Sequence, residues 1–235
     1  MRRRKRRQIK ERPLIIHGDP KAIASEAFRT LRTNLQFTSP DREVKTILIT
    51  SAGPEDGKST VAANLAAAWS QSGSRVVLVG CDLRRPVTHA IFGVRNTSGL
   101  SAYLSGRVPL DEVIIETKVP GLDLIPAGPI PPNPAELLQS KAMRQCLREL
   151  RERYDVVLCD GAPAIAVTDA AVVASQTDGT VLVIQSGGTP KEAALHAKQL
   201  LERANARILG VVLNRVKVSD RTSMYYYHYY YSDAE

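Results

Sequence analysis

Apolar runs alternate along the chain with stretches patterned as helices. The strand candidates are 46–50, 75–79, 122–125, 156–159, 180–185 and 207–213. The helix candidates between them are 59–71, 135–153 (as one helix or two), 168–174 and 191–204. Most strand runs are continuously apolar rather than alternating, which indicates strands covered on both faces. The alternation predicts an α/β fold, a doubly wound and mostly parallel sheet with right-handed crossovers.

The positive charge is concentrated at the N-terminus. Residues 1–12 contain eight Lys or Arg and one Glu, so this segment carries +7 of the formal net charge of +8. The rest of the chain is nearly neutral and shows no alternation of aromatic and basic residues. We therefore expect no specific nucleic-acid partner, while the arm itself can stay solvated or contact anionic lipid or nucleic acid.

The cysteines favour a reducing compartment. Cys81, Cys146 and Cys159 are odd in number and lack the CxxC spacing of zinc sites. No apolar run approaches the roughly 18–20 residues that a membrane span needs, and no apolar stretch follows the basic N-terminus as it would in a signal peptide. We expect a cytoplasmic protein.

The tyrosines are concentrated at the other end of the chain. Six of the eight lie within seven positions, at Tyr225, Tyr226, Tyr227, Tyr229, Tyr230 and Tyr231. The run has no period that would bury one face, so we expect an exposed tail; the alternative is a β-prone end that pairs with an edge strand. The expected division is a flexible basic arm at 1–19, an α/β domain at 20–216 and a flexible tyrosine-rich tail at 217–235.

Residues 22–37 predict an amphipathic helix. Its apolar stripe recurs at i, i+4 spacing, at Ile23, Ala27, Leu31 and Leu35, and Phe28 widens it. A charged stripe recurs beside it at i, i+3 spacing, at Glu26, Arg29 and Arg32. Such a helix either presents solvated salt bridges or docks on a neighbouring subunit, and the pattern leaves both open.

A phosphate-binding loop is the most specific local signal. The segment SAGPEDGKST follows a predicted strand and opens a predicted helix, which is the context that a P-loop requires, although Ala52 replaces the first glycine of the strict motif. Lys58 would reach the outer phosphate oxygens and the Ser59 hydroxyl would bind Mg²⁺. The candidate nucleotide-binding residues are Gly53, Pro54, Glu55, Asp56, Gly57, Lys58, Ser59 and Thr60.

Two further strands end near a carboxylate. Asp82 follows the run VVLVGC, and Asp160 ends the run VVLCD. The carboxyl ends of parallel strands share one edge of a sheet, so both side chains are expected to face the bound phosphates. Either residue alone would be an ordinary strand-end cap. Together with the P-loop they predict a site for ATP and Mg²⁺, with Asp160 as the Walker B aspartate.

The order of these motifs resembles a known family. The segment SEAFRTLRTNLQF, the P-loop, VVLVGCDLRRP, the Asp160 strand, VTDA, GVVLNRV and the tyrosine cluster are similar to the bacterial protein-tyrosine kinases (BY-kinases) of capsule and exopolysaccharide biosynthesis, over roughly residues 20–231. The resemblance implies a P-loop NTPase of the deviant-Walker type, which septum-site and partition ATPases share. It implies an ATP-dependent kinase that autophosphorylates its tyrosine cluster in trans and regulates polysaccharide synthesis and export.

The resemblance also assigns roles to individual residues. The implied catalytic residues are Lys58, Asp82 and Asp160, and the implied Mg²⁺ ligands are Ser59, Asp82 and Asp160. Asn214 matches the position that contacts adenine in related folds. The family's Glu-x-x-Arg-x-x-Arg oligomerisation motif falls on Glu26, Arg29 and Arg32.

The implied partners follow from the same resemblance. They are a membrane adaptor that activates the kinase, further copies of this chain in a homo-oligomer such as a ring, and protein tyrosine substrates. The implied location is the inner face of the membrane, reached through the adaptor.

One position departs from the family pattern. The second motif of the family carries Asp-x-Asp, and here Gly80 replaces the first aspartate while Asp82 remains. Since the first carboxylate is the implied general base or metal organiser, we expect Gly80→Asp to raise the transfer rate about ten-fold or more. The departure leaves open a catalytically weak nucleotide-binding scaffold of the same system. A partition-type ATPase is the other alternative, although Gly53 replaces the signature lysine of that class.

Overall fold

The computed structural model describes residues 14–19, 22–38 and 43–216. The strands in these ranges are β1 (Thr46–Ser51), β2 (Val76–Gly80), β3 (Ile115–Glu116), β4 (Leu122–Ile125), β5 (Val156–Asp160), β6 (Gly179–Gln185) and β7 (Ile208–Asn214). They form one sheet in the order β3-β4-β2-β5-β1-β6-β7. Every neighbouring pair is parallel except β3 and β4. The predicted doubly wound, mostly parallel sheet is confirmed.

Helices cover both faces of the sheet. They are α1 (Ile15–Gly18), α2 (Ile23–Phe37), α3 (Lys58–Ser70), α4 (Thr88–Ile91), α5 (Leu100–Leu104), α6 (Pro134–Gln139), α7 (Lys141–Arg153), α8 (Asp169–Ala174) and α9 (Lys191–Arg203), with a 3₁₀ turn at Leu110–Glu112. Helices α1 to α4 pack into an apolar cluster on one face, and α5 to α9 into a cluster on the other. Covering both faces explains why β1, β2 and β5 are buried throughout.

The predicted elements match the observed ones to within two residues, and of the two possibilities for 135–153 the structure has two helices, α6 and α7, which meet at Ser140. The Ser140 side chain caps α7 by accepting a hydrogen bond from the Met143 N–H at 3.2 Å. The sequence patterns did not indicate α1, α4, α5 and β3, because helices of five residues or fewer and a strand of two are too short to show a period. Among the described residues, no helix has the length and apolarity of a membrane span.

Helix α2 has the predicted span, but its apolar stripe is shifted. Ile23 and Ala27 are exposed, whereas Phe28, Leu31 and Leu35 pack into the cluster that α3 shares. The predicted stripe is therefore wrong at its first two positions. The face that contacts α3 begins at Phe28, so the first turns of α2 keep apolar side chains in solvent.

Helix α1 is part of the packed domain. The Ile16 side chain is fully buried, and its backbone N–H donates to Asn64 Oδ1 of α3 at 3.2 Å. The packed part of the chain therefore reaches back into the segment that the sequence division assigned to the arm. Residues 1–13 and the tyrosine-rich tail at 217–235 lie outside the described residues.

Asp178 organises the amino-terminal edge of the sheet. Its Oδ2 accepts hydrogen bonds from the N–H groups of Lys45 (3.0 Å) and Thr46 (2.9 Å) and from Thr46 Oγ1 (2.9 Å), and it pairs with Arg151 of α7. Burial alone would raise the pKa of Asp178, but the hydrogen bonds and the Arg151 charge hold this pKa below its usual value. One carboxylate thus joins the start of β1 to α7.

Replacing Asp178 with Ala should destabilise the fold. The change leaves two backbone N–H groups and Arg151 without this acceptor, so we expect the free energy of unfolding at neutral pH to fall by about 2–3 kcal/mol. Glu202→Ala removes an exposed pair with Lys198 on α9 and should cost about 0.5 kcal/mol or less. Urea unfolding followed by circular dichroism measures both, and equal losses would contradict the role of Asp178.

The contribution of Asp178 to the free energy of unfolding depends on pH. The pKa of Asp178 is lower in the folded chain than the ordinary aspartate value of about 3.9. The stability that Asp178 contributes is therefore complete above that value and is lost as the pH falls through the folded pKa. The difference in unfolding free energy between wild type and Asp178→Ala should therefore shrink in acid.

Candidate active site

The sheet order places the three predicted motifs next to one another. Strand β5 lies between β1 and β2, with Asp160 paired to Ile49 on one side and Gly80 on the other. Because these strands are parallel, their carboxyl ends meet at one edge. The P-loop leaves β1 after Ser51 and enters α3 at Lys58, so it lies directly at this edge.

The turn into α3 requires glycine. Gly57 has a φ of 99°, in the left-handed region, and a Cβ there would lie 2.1 Å from Asn214 Nδ2. Glu55 is also left-handed, with a φ of 68°. Among the predicted loop residues, Pro54 and Glu55 are exposed and Thr60 is half-buried.

The P-loop is closed by contacts from its own aspartate and from two distant segments. Asp56 is buried; its Oδ2 accepts from the Gly53 N–H at 2.8 Å and its Oδ1 accepts from Thr189 Oγ1 at 2.8 Å. Asn214 Nδ2 donates to the Asp56 carbonyl at 2.8 Å. Thr189 lies in the connection between β6 and α9 and was not a predicted site residue, because nothing in the local sequence links it to the P-loop.

Lys58 lies against the two predicted carboxylates. Its Nζ is 2.9 Å from Asp82 Oδ2 and 3.5 Å from Asp160 Oδ1, and it donates to Ser59 Oγ at 3.2 Å. Asp82 is 4% exposed and Asp160 is 1% exposed. The structure thus brings together one cation, one hydroxyl and two carboxylates from three parts of the chain.

The charges in this cluster depend on one another. Burial lowers the pKa of Lys58, but the charges of Asp160 and Asp82 outweigh it and raise this pKa above its usual value, so the amine is protonated. Burial raises the pKa of Asp160, and the Lys58 charge opposes that effect. One ammonium with two carboxylates leaves the cluster short of positive charge when both carboxyls ionise, which suits a divalent cation.

The donor set fits Mg²⁺. The Ser59 hydroxyl and the carboxylates of Asp82 and Asp160 are hard oxygen ligands of the kind that Mg²⁺ takes alongside water and phosphate oxygens. Asp160 Oδ1 is buried without a hydrogen-bond partner among the described residues, 3.5 Å from Lys58 Nζ.

The loop after β2 is anchored to α8. Asp82 Oδ1 accepts from the backbone N–H groups of Arg85 (2.9 Å) and Arg84 (3.3 Å). The Arg84 guanidinium forms two hydrogen bonds to Asp169, from Nε at 2.8 Å and from Nη2 at 3.0 Å, and Asp169 is 1% exposed. This bidentate pair positions the Asp82 loop. Sequence reasoning missed it, although an arginine after Asp82 and an acid at the start of a helix were its available signals.

Gly80 lies under the loop that follows β4. A Cβ at this position would be 2.9 Å from the Ala127 backbone N, 3.0 Å from Thr88 Oγ1 and 3.4 Å from the Ile125 carbonyl oxygen. An aspartate there meets backbone atoms, so the expectation that Gly80→Asp raises activity is not supported by the packing of this chain.

The predicted oligomerisation residues lie on α2. Arg29 Nη1 pairs with Glu26 Oε2 at 2.8 Å. Arg32 Nη1 donates to the Ala68 carbonyl of α3 at 3.1 Å, so this side chain also holds α2 on its own domain.

Comparison with known proteins gives consistent results. The model of an AAA domain family matches residues 44–206. The chain is 42% identical over 225 residues to the tyrosine-protein kinase YwqD of Bacillus subtilis, covering 96% of this chain and 95% of that protein. The solved kinase domain of the Escherichia coli tyrosine kinase ETK is similar with a TM-score of 0.83 and 37% identity, covering 93% of this chain and 87% of that one.

A septum-site ATPase has a related fold at greater distance. The cell division ATPase MinD of Pyrococcus furiosus is similar with a TM-score of 0.64 and 27% identity, covering 75% of this chain and 74% of that one. The expected deviant-Walker fold is therefore confirmed. The partition-type alternative is not better supported, because similarity to the kinases is higher in identity and in coverage.

The contacts around Gly80 predict an overpacking penalty. Gly80→Ala places its Cβ against the Ala127 backbone and should lower the free energy of unfolding by about 1–3 kcal/mol. Gly210→Ala in β7 is a matched control, because a Cβ there meets no atom within 4 Å. Chemical unfolding of the two variants decides the matter, and a Gly80→Ala variant as stable as Gly210→Ala would show that the loop after β4 yields freely.

Proposed function

Because the chain belongs to the family of bacterial tyrosine-protein kinases, we propose that it binds ATP and Mg²⁺ at the P-loop and phosphorylates the tyrosines of its own C-terminal cluster. The cluster of Lys58, Asp82 and Asp160 beside Ser59 is the observation that supports this site. It combines a phosphate-binding cation with oxygen ligands for a metal ion.

Lys58 changes partners when nucleotide binds. Without nucleotide its ammonium neutralises Asp82 and Asp160. The outer phosphates of ATP offer the same ammonium stronger, multiply charged acceptors. Ser59, Asp82 and Asp160 would hold Mg²⁺, which when bound would neutralise charge on the transferred group. Movement of Lys58 toward the phosphates releases Asp82 Oδ2 from its ion pair with the ammonium.

Asp82 then accepts the proton of the attacking phenol. A tyrosine hydroxyl with a pKa near 10 is a weak nucleophile, and a positioned carboxylate assists by taking its proton. The bond between the tyrosine oxygen and the terminal phosphorus forms, the bond from that phosphorus to the bridging oxygen breaks, and ADP leaves. The backbone N–H groups of Arg84 and Arg85 hold Asp82 Oδ1, so Oδ2, which pairs with Lys58 in this structure, is the proposed proton acceptor.

Asn214 is the proposed contact to adenine. One N–H of its amide already bonds to the Asp56 carbonyl, and the amide carries a second N–H for the base. A contact to adenine would therefore connect base recognition to the closure of the P-loop.

The tyrosine cluster is the proposed substrate, and transfer occurs between neighbouring copies. The tail follows β7, whose last residue lies at the P-loop edge, so it can reach a neighbour's site when subunits lie side by side. Glu26, Arg29 and Arg32 on α2 supply the proposed contact between subunits. We assign the assembly to polysaccharide synthesis and export, at the inner face of the membrane through an adaptor protein. Other protein tyrosines are further substrates.

A catalytically weak scaffold is the second candidate function. The tight packing around Gly80 favours it, because the first carboxylate of the family's Asp-x-Asp motif would lie against backbone atoms at this position. A scaffold would bind nucleotide and assemble without forming phosphotyrosine.

Lys58→Met should abolish nucleotide binding and phosphotyrosine formation. The loss of the ammonium that pairs with the outer phosphates weakens Mg²⁺–ATP binding by about 100-fold or more. Lys198→Met changes an exposed lysine on α9 and is the matched control. Titration with ATP and phosphate incorporation from labelled ATP, with adaptor present, measure both steps. Wild-type affinity in Lys58→Met would refute the site, and tight ATP binding with no incorporation in wild type would favour the scaffold.

Phosphorylation of the tail should dissociate the assembly. Each phosphate adds roughly −1.5 to −2 charges, so several on one tail repel one another at a neighbour's phosphate-filled site. We expect an oligomer before phosphorylation and a monomer after it, measured by light scattering with phosphosites mapped by mass spectrometry. Equal masses for the two forms, or phosphate confined to sites outside residues 225–231, would contradict this switch.

A further inference from the structure

A cavity lined by basic side chains lies at the edge of the sheet opposite to the P-loop. It has a volume of about 420 Å³ and opens beside Thr46, the first residue of β1, whereas the P-loop follows the last. Four basic side chains line it, Lys141, Arg144, Arg148 and Arg151. In the described part of the chain no acidic residue lines this cavity, which we name the α7 cavity.

Helix geometry concentrates these charges. Spacings of three, four and three residues keep the four side chains along one side of α7, next to the buried stripe that packs on the sheet. Arg151 pairs with Asp178. For Arg144 and Arg148, the hydrogen bonds among described residues are to neutral oxygens, at Gln139 (3.0 Å) and Gln145 (2.6 Å). The cavity therefore concentrates positive charge that an anion would neutralise.

We propose that the α7 cavity binds residues 225–231 of this chain after their tyrosines are phosphorylated, an inference that rests on the proposed autophosphorylation. A phosphotyrosine carries about −1.5 to −2 charges and three strong acceptor oxygens. The guanidinium groups of Arg144 and Arg148 are suited to bidentate contacts with such a phosphate. The volume of the α7 cavity lies within the roughly 300–1,000 Å³ of small-molecule sites. Because the site is concave, it fits a protruding phosphotyrosine side chain better than it fits a flat membrane surface.

The tail of the same chain is long enough. Crossing the sheet from its P-loop edge takes the length of β1, about 20 Å for its six residues. Strand β6 lies between β7 and β1, so the two strand spacings add about 10 Å to the distance that the tail must cross. Nine residues lead from Val216 to Tyr225, and they span up to about 30 Å when extended. The cavity thus holds the phosphorylated tail away from the P-loop edge.

The test is direct binding of a synthetic peptide. A fluorescent peptide of residues 217–235 with phosphotyrosine at Tyr229 and Tyr230, and its unphosphorylated twin, are titrated into the dephosphorylated full chain without ATP. The variant is Arg144→Gln/Arg148→Gln. The control is Arg107→Gln/Arg203→Gln, which removes the same charge from exposed positions outside the cavity. Retained ATP binding shows that each variant is folded.

We expect the phosphopeptide to bind, with at least ten-fold weaker affinity in the cavity variant, no change in the control, and weaker binding of the unphosphorylated twin. Equal losses in variant and control, or equal affinity of the two peptides, would overturn the proposal. Loss of binding to phosphatidylglycerol vesicles in the cavity variant, with peptide binding intact, would overturn it in favour of a lipid surface. Because the peptide is phosphorylated chemically, its failure to bind and a failure of the chain to phosphorylate itself are separate results.

Discussion

The fold depends on a buried group of three charges, Lys58 with Asp82 and Asp160. Taking an ion out of water costs several kcal/mol, so each of these side chains needs the others or a ligand. Lys58 and Asp82 follow β1 and β2, and Asp160 ends β5. The strand order β2-β5-β1 brings Lys58 Nζ to 2.9 Å from Asp82 and to 3.5 Å from Asp160. Their mutual pairing stabilises the chain without nucleotide. Phosphate and a divalent cation are the groups that can replace these partners, so the contacts that stabilise the site also prepare it for its ligands.

The exchange of partners requires a loop that does not collapse. Asp56 bridges Gly53 and Thr189, and Asn214 bonds to the Asp56 carbonyl from the end of β7. The P-loop is therefore held from β6 and β7 as well as from β1. Arg84 and Asp169 do the same for the Asp82 loop from α8. The geometry of the site is preorganised by residues outside the phosphate-binding motif, which is how a short loop keeps its shape when Lys58 moves.

The elements predicted from the sequence depend on local patterns, and the contacts that were not predicted join residues far apart in the chain. Continuous apolar runs predicted the strands, and the P-loop segment, Asp82 and Asp160 were found because each lies beside a strand in the sequence. The Asp56–Thr189 and Arg84–Asp169 pairs join residues 133 and 85 positions apart, and no local pattern shows that these partners meet. The α2 stripe failed at Ile23 because periodicity identifies an apolar face without saying how far a neighbouring helix extends along it.

Gly80 shows why a motif cannot be completed one residue at a time. Asp82 and Asp160 already share the single cation Lys58, and a third carboxylate nearby would add like-charge repulsion that only metal or substrate could offset. In this chain atoms of Ala127, Thr88 and Ile125 occupy the space beside Gly80. Both packing and electrostatics therefore favour a residue without a side chain at this position. The proton of the attacking tyrosine then has Asp82 as its nearest proposed acceptor, and the rate of transfer depends on how readily Lys58 leaves Asp82 for the phosphates.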